Sequence, residues 1–398
     1  MNDSRGEIFR KARHAELNDE VSLCSLSPQR WYTPRMIFSN FFAAAYVHHI
    51  DPFLIRFSDG FGIRWYGLSY LVGFYIAYLI ISWMGRRGLS PLNPALASDF
   101  VFTAALGTVI GGRLGYCVFY APNLLTQFTP NPPFWGVLAI NQGGMASHGG
   151  IIGIIVACIL FGKKHGITIP HLLDLTTLGG SVGIFFGRIA NFINGELVGR
   201  PCSPDLPWAV KFPQDILLWN LEKLRSLSQT ASLVGVEPTR WYNSLESART
   251  DPAAQQFVEN TINIIITKIQ AGDIALRTSI RSVLVDRHPS QLYEALGEGA
   301  FVFVVLFLLW RLPRKPGVIT GAFFVTYAVV RVLGEQFRMP DPQIGFQILG
   351  LTRGQILSLF MLMFGSIALW FWSMRTAPLI GGWCTLKEPH VEPENNTR

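Results

Sequence analysis

Charged side chains stand inside long apolar runs of this chain, where they are costly and usually face the interior of a helix bundle or a cavity. Tyr327, Arg331, Glu335 and Arg338 follow one another at intervals of four, four and three residues. This spacing predicts one shared face of a helix. Two arginines against one carboxylate leave positive charge on that face, and a guanidinium suits a phosphate group. An ion ladder within the helix is the simpler alternative.

Two further arginines occur in glycine-rich apolar runs. Arg188 lies three residues before Asn191, and Arg113 lies in a similar run nearer the N-terminus. The glycines recur every four residues, a pattern that lets helices pack closely. They are Gly107, Gly111, Gly115, Gly179, Gly183 and Gly187. Close packing explains the glycines, but apolar residues would pack as well as the arginines and the asparagine, so these polar residues are candidates for a site.

A histidine stands in a third glycine-rich segment, GGMASHGG at residues 143–150. Glycines let the backbone approach a neighbour closely. A histidine can titrate near neutral pH, which suits a general base. His148 is therefore a candidate base, and a structural histidine at a membrane boundary is the alternative.

The elements that must position these residues are apolar helices. Of the 398 residues, 49% are hydrophobic and 15% are charged, whereas soluble domains carry about 25% charged residues. This composition excludes a soluble enzyme and a disordered chain. It predicts an all-α polytopic membrane protein with about seven transmembrane helices. The spans are predicted at residues 67–84, 100–119, 149–162, 172–193, 295–310, 318–337 and 356–372.

Clusters of lysine and arginine orient these spans. The clusters follow the first, third, fifth and seventh runs, at residues 86–87, 163–164, 311–315 and 375. The positive-inside rule then predicts an N-terminus outside and a cytoplasmic C-terminus. The net charge of +7 is therefore mostly a signal of topology, and nucleic acid is not an expected partner. The candidate site residues would share the outer half of the membrane, which suits the headgroup of an anionic phospholipid.

The remaining segments suggest how the chain is organised. Residues 1–35 form a polar extension, and we favour Met36 as the true start over a cleaved targeting signal. The connection at 197–289 is expected outside; within it, residues 213–286 form an insertion without visible chemistry, in which 252–270 has a helical pattern. Spans one to four fall in 36–212, spans five to seven in 287–375, and a cytoplasmic tail in 376–398. The five cysteines lack metal-ligand spacing, and no cofactor is expected.

Several motifs together resemble the prolipoprotein diacylglyceryl transferase family, over residues 50–212 and 286–375. They are IRWYGLSYLVGF (63–74), GGRLGY (111–116), GGMASHGG (143–150), GRIANFINGELVGR (187–200), HPSQLYE (288–294), YAVVRVLGEQFRMPD (327–341) and GQILS (354–358). Ala190 stands where the family generally has glycine. The resemblance implies a bacterial inner-membrane enzyme that transfers diacylglycerol from phosphatidylglycerol to the lipobox cysteine of a prolipoprotein signal peptide, forming a thioether and releasing glycerol phosphate.

The resemblance also implies roles for individual residues. Arg188 and Arg331 would hold the lipid phosphate and stabilise its departure, and His148 is the candidate base, although Arg331 or a phosphate oxygen could take part. The residues expected to bind substrate are Tyr66, Arg113, Asn191, Asn194, Glu196, Gly199, Tyr327, Glu335 and Arg338. The nucleophile would be the thiolate of the protein substrate. The alternative function is an anionic-solute transporter, whose site would lie near the membrane midplane between broken helices.

Overall fold

This computed structural model describes residues 45–58, 61–130, 132–140, 143–340, 347 and 350–384. The predicted extension, the start at Met36, Asp341 of the YAVVRVLGEQFRMPD motif and residues 385–398 of the predicted tail lie outside the described residues. The chain divides into two compact units. The first comprises the described residues within Met1–Gly62, Asn191–Leu292 and Glu335–Arg353, and the second comprises the described residues within Ile63–Ala190, Tyr293–Gly334 and Gly354–Arg398.

The described part of the chain is mainly helical. In chain order the helices are α1 (Trp65–Arg86), α2 (Pro94–Phe119), α3 (Ser147–His165), α4 (Ile169–Asn194), α5 (Leu221–Leu224), α6 (Ser228–Ser232), α7 (Pro238–Ser247), α8 (Pro252–Gln270), α9 (Ile274–Arg281), α10 (Ser290–Leu309), α11 (Val318–Gly334) and α12 (Arg353–Met374). Short 3₁₀ helices lie at Pro122–Leu125, Gly136–Leu138, Pro213–Leu218 and Arg225–Leu227.

Short strands supply the remaining regular structure. They are β1 (Tyr46–Val47), β2 (Phe53–Ser58), β3 (Phe61–Arg64), β4 (Val210–Lys211), β5 (Pro313–Arg314) and β6 (Ile380–Gly381). β1 pairs with β4 in parallel, and β5 pairs with β6 in antiparallel fashion. β2 and β3 form a third two-stranded sheet. These sheets are too small to form a core, so the fold is built from the helices.

Six helices of the described residues are long and apolar enough to cross a membrane, namely α1, α2, α3, α4, α10 and α12. Helix α11 is apolar but shorter, with 17 residues. These seven helices coincide with the seven apolar runs that the sequence predicts. The predicted class, an all-α polytopic membrane protein, is therefore confirmed.

The predicted extent of the sixth span is wrong at its C-terminal end. Helix α11 stops at Gly334, and residues 335–337 form a turn. From the last residue of the turn onward the backbone pairs with another segment. The Arg200 amide donates to the Phe337 carbonyl at 2.8 Å, and the Met339 amide donates to the Val198 carbonyl at 3.2 Å. Because this pairing replaces the i to i−4 bonds of a helix, Glu335 and Arg338 do not share a helical face with Tyr327 and Arg331.

Glycines bring helices of the second unit into backbone contact, as their spacing predicts. A Cβ atom on Gly111 would collide with the carbonyl oxygen of Gly149, and one on Gly107 would lie 2.5 Å from the Gly153 carbonyl oxygen. At these positions the backbones of α2 and α3 are thus in direct contact. Helix α4 approaches α1 at two points, since a Cβ on Gly73 would lie 3.1 Å from Cα of Gly183 and one on Gly179 would lie 2.7 Å from Cβ of Ala77. At Gly187, by contrast, a Cβ would meet nothing within 4 Å, so close packing does not require this glycine.

A buried carboxylate defines the start of α11. Asp174 of α4 is 1% exposed and accepts hydrogen bonds from the amides of Gly317 and Thr320, each at 2.7 Å. It also accepts from the Thr320 hydroxyl at 2.7 Å. The first amides of a helix have no partner within it, so this side chain caps α11 from a neighbouring helix and fixes the position of both.

The insertion at residues 213–286 folds around a hydrophobic core in the first unit, to which Val47 of β1 also contributes. The predicted helix at 252–270 is confirmed as α8. Its buried residues repeat at helical spacing and include Val258, Ile262, Ile265 and Ile269, the pattern of an amphipathic helix. They pack against Trp241 of α7, which is fully buried, and against residues of the other short helices. We call this part of the chain the insertion module.

Candidate active site

Two arginines and two glutamates meet in the second unit. Arg188 of α4 places Nη1 3.0 Å from Glu294 Oε2 and Nη2 2.9 Å from Glu298 Oε2. Arg331 of α11 places Nη1 3.0 Å from Glu294 Oε1 and 3.1 Å from Glu298 Oε1. Each arginine therefore contacts both carboxylates. We call these four residues the charge cluster.

Local features of α10 place the two glutamates. Residues Ala295–Phe301 form a π-helical segment within α10, a wide turn that often occurs at functional sites. A Cβ on Gly299 would lie 2.5 Å from Cα of Phe185, and one on Gly297 would lie 2.7 Å from Val330. The missing side chains let α10 approach both α4 and α11. Glu298 is thereby held between the two helices that carry the arginines.

Tyr327 completes this arrangement from α11. Its hydroxyl donates to Glu298 Oε2 at 3.1 Å, and the Arg188 Nε–H donates to the same oxygen at 3.2 Å. Tyr327 and Arg331 stand four residues apart on α11, so they face the same side of the helix. The side chains of both glutamates are 0% exposed, whereas those of Arg188 and Arg331 retain 17% and 13% exposure. The arginines are thus the accessible side of the cluster.

The predicted helical face with a surplus of positive charge is wrong, because α11 ends before Glu335 and Arg338. Arg331, which remains on α11, is itself paired with Glu294 and Glu298. Arg188 and Arg331 carry two positive charges, and Glu294 and Glu298 carry two negative charges within 3.1 Å of them. Residue spacing missed both glutamates because their partners come from other helices. The rule that selected Arg331 could have found Glu298, which is a charged residue inside the fifth apolar run. Glu294 ends the HPSQLYE motif.

His148 and Arg113 belong to the region where α2 packs on α3. The Arg113 side chain is buried and donates to four backbone carbonyls: Val137 at 2.7 Å, Gly136 at 2.7 Å, Gly143 at 2.6 Å and Gly144 at 3.0 Å. It therefore fastens the loop that leads into α3. His148, the second residue of α3, is exposed, and its side chain makes no hydrogen bond or ion pair with the described residues.

Tyr66 lies in the first turn of α1, where its ring stacks on Tyr70 with centroids 6.3 Å apart. The structure thus places three groups of predicted residues in the second unit. They are Arg188 and Arg331 with Tyr327, the loop held by Arg113 with His148, and Tyr66 at the start of α1.

Other predicted site residues lie in the first unit. Asn191 donates from Nδ2 to Glu196 Oε1 at 2.8 Å, across the turn that ends α4. The side-chain oxygen of Asn194 is buried and has no hydrogen-bond partner among the described residues. Glu335 is buried and accepts from the Thr352 hydroxyl at 2.8 Å. Arg338 forms an isolated bridge with Gly199.

A buried ion pair in the first unit supports Gly199 and was not found from the sequence. Arg287 donates from Nη2 to both carboxylate oxygens of Asp215, at 2.8 and 2.9 Å, and from Nη1 to the Gly199 carbonyl at 2.9 Å. A Cβ on Gly199 would collide with the carbonyl oxygen of His288. Gly199 is therefore required by close backbone packing, and its predicted contribution to substrate binding would be made through the backbone.

Comparison with known proteins identifies the family. The model of the family described as prolipoprotein diacylglyceryl transferase matches residues 52–372. The chain belongs to this family. A phosphatidylglycerol–prolipoprotein diacylglyceryl transferase of Bdellovibrio bacteriovorus is 52% identical over 340 residues, which cover 85% of this chain and 97% of that protein. A Rhodospirillum rubrum protein of the same name is 37% identical over 335 residues, covering 83% and 94% of the two chains.

Family membership makes the chain a multi-pass membrane transferase. The charge cluster holds two guanidinium groups in fixed orientation, and a guanidinium is a group that can bind a phosphate. Within the described residues, no group of three or more histidine, cysteine, aspartate or glutamate side chains could hold a metal ion.

Proposed function

We propose that this protein transfers the diacylglyceryl group of phosphatidylglycerol to the lipobox cysteine of prolipoproteins. The relatives are named for phosphatidylglycerol and prolipoprotein as substrates. The observation that carries the proposal is the charge cluster, in which Arg188 and Arg331 reach from two helices toward the same pair of carboxylates. An anionic lipid phosphate is the part of these substrates that such a pair of arginines fits.

The reaction needs a nucleophile, a leaving group and charge stabilisation. The cysteine sulfur, as a thiolate, attacks the glyceryl carbon that carries the phosphate, and a sulfur–carbon bond replaces the carbon–oxygen bond. Glycerol phosphate leaves with the electron pair and gains one negative charge. Arg188 and Arg331 stabilise that charge as it develops, because preorganised donors act strongly in a site with little water.

The thiol proton must be removed, since a free cysteine has a pKa of about 8.5 and only the thiolate attacks. His148 is our proposed base. Its exposed ring at the start of α3 has no hydrogen bond to the described residues that would compete with a substrate. A phosphate oxygen could accept the proton instead, and Arg331 could take part by stabilising the thiolate. The predicted substrate-binding residues would contact the lipid headgroup and the peptide.

The proposed location is the bacterial inner membrane, with the start of α1 outside and the C-terminus in the cytoplasm. Basic residues support this orientation, because they cluster after the helices that would end in the cytoplasm. Arg86 ends α1, Lys163 and Lys164 lie in the last turn of α3, and Arg375 follows α12. Membrane lipids surround the apolar helices, and the signal peptide of the prolipoprotein is the second substrate.

A reconstituted assay tests the proposed function. Purified full-length protein is incubated with a lipobox peptide and vesicles of phosphatidylglycerol, and the peptide mass is measured. We expect an increase equal to one diacylglyceryl group, and no increase with a cysteine-to-serine peptide. Arg188→Ala and Arg331→Ala should abolish transfer while membrane insertion persists. The matched control is Arg249→Ala, because Arg249 is an exposed arginine of the insertion module. Absence of an adduct together with anionic solute flux in liposomes would favour the transporter instead.

A further inference from the structure

One side of the charge cluster is accessible and the other is buried. The arginine side chains keep 17% and 13% of their surface exposed, and the glutamate side chains have none. A phosphate that enters the site would therefore meet Arg188 and Arg331 first, with Glu294 and Glu298 behind them. The glutamates would not touch the ligand, but their negative charges lie within hydrogen-bond distance of the groups that do.

The lipid substrate and the glycerol phosphate product differ in the negative charge on their phosphate. The lipid phosphate is a diester with one negative charge, whereas glycerol phosphate is a monoester with about −1.5 to −2 charges at pH 7. The four ionised residues of the charge cluster sum to zero. Carboxylates held behind two arginines weaken the attraction for any anion, and they weaken it most for the anion with the greater charge.

We propose that Glu294 and Glu298 are internal counter-ions that set the affinity for the leaving glycerol phosphate and so allow its release. This inference rests on the proposed function. Glu298 has the larger share of the role, because it accepts from both arginines and from Tyr327. It acts through the arginines and is a positioning residue. The site binds a monoanion through two arginines and releases a dianion because the same arginines are already paired.

Glu298→Gln tests this charge balance with almost no change of shape. The amide oxygen can still accept from Arg188 and Tyr327, but the cluster gains one net positive charge. We expect glycerol phosphate to bind about tenfold more tightly, since one unit of charge a few ångströms away contributes this much even when it is strongly screened. Release of product should slow, so kcat falls while the KM for phosphatidylglycerol does not rise.

The measurements are calorimetric binding of glycerol phosphate to the purified full-length protein, and inhibition of transfer by added glycerol phosphate. Glu298→Asp keeps the charge and should bind the product with an affinity close to that of the wild type. Glu246→Gln is the matched control, because that glutamate is 65% exposed and pairs with Arg225 in the insertion module. If Glu298→Gln fails to fold, Glu294→Gln tests the same charge balance, because it removes the negative charge of the other carboxylate in the cluster.

Two outcomes would overturn the inference. One is an affinity for glycerol phosphate that is unchanged or weaker in both glutamine variants. The other is a raised KM with unchanged inhibition by product, which would make the glutamates simple supports of the fold. A wild-type protein that forms no lipid adduct would instead refute the proposed function, and calorimetry would still report whether the carboxylates control phosphate affinity.

Discussion

At the scale of single residues, the shape of the guanidinium group explains why the site uses arginine. All three nitrogens of Arg188 contact a carboxylate: Nη1 faces Glu294, while Nε and Nη2 face Glu298. The plane of the group thus bridges two side chains one helical turn apart on α10. A lysine ammonium is a single point of charge on a flexible stem and cannot make this bridge.

We therefore expect Arg188→Lys to lower the kcat/KM of transfer by at least about 100-fold, although the positive charge is retained. Quantitative mass spectrometry of the lipobox peptide measures the change. Arg249→Lys in the insertion module is the control and should behave as the wild type. Near-normal transfer by Arg188→Lys would mean that charge alone is sufficient and that the fork geometry is not used.

A histidine of the first unit has a different role, in stability. His48 is fully buried, and its ring lies 5.4 Å from the rings of both Phe192 and Phe212. Burial lowers the pKa of His48 from 6.5 to about 4, because the charged form loses its hydration. The neutral form is therefore the one that the folded protein accommodates.

The direction of the pH effect follows from this lowered pKa. Between pH 6.5 and 4 the unfolded chain binds a proton at His48 that the folded chain does not, so stability falls as the pH falls through this window. The loss reaches about 3 kcal/mol, and none is added below pH 4. Thermal unfolding in detergent at pH 7.5 and pH 5 measures it. His48→Phe should reduce the difference between these two pH values, and an unchanged difference would exclude His48 as its source.

At the scale of elements, glycine contacts and a buried arginine position the candidate base. Helices α2 and α3 meet backbone to backbone at Gly111 and Gly149. The Ala146 amide donates to the Gly112 carbonyl at 2.9 Å, immediately before α3 begins. Arg113 holds the preceding loop at four carbonyls. The place of His148 is thus determined by the distance between two helices.

Gly111→Ala should force α2 and α3 apart, because its Cβ would collide with the Gly149 carbonyl. We expect a loss of about 2 kcal/mol in stability, typical of an overpacked contact, together with a reduced rate of transfer. Gly180→Ala is the matched control, since a Cβ at this helical glycine meets nothing within 4 Å. Thermal unfolding and the peptide assay give the two readouts. Equal behaviour of the variants would show that close approach at Gly111 is not required.

At the scale of the whole molecule, the chain consists of two compact units with separate cores. The insertion module packs the fully buried Trp241 among residues of α8 and α9. The charge cluster lies entirely in the other unit, between α4, α10 and α11. Damage to one core should therefore be separable from damage to the other.

Trp241→Ala should destabilise the insertion module by about 3–5 kcal/mol, the usual cost of removing a large buried aromatic side chain. Limited proteolysis should then cut within residues 213–286, while glycerol phosphate still binds the charge cluster. Tyr242→Ala, at a neighbouring residue that is 40% exposed, is the control. Loss of phosphate binding in Trp241→Ala alone would contradict the independence of the two cores.

The sequence by itself determined the features that depend on local pattern. Hydropathy located seven apolar helices, helical periodicity located α8, and glycine spacing identified helices that pack closely. Each of these patterns depends only on residues that are close together in the sequence, within a few turns of one helix. The short motifs were sufficient to recognise the family, because each is defined by the residue types at its successive positions.

Only the tertiary structure decided the partners of the charged residues. Arg188 and Glu298 are separated by 110 positions along the chain, and no periodicity within one helix can pair them. The tertiary structure also decided where α11 ends, because pairing with residues 198–200 replaces the turn that would follow Gly334. It likewise decided which loop carbonyls surround Arg113. Side chains on separate helices meet through packing of the whole bundle, so the neutrality of the charge cluster is a property of the fold.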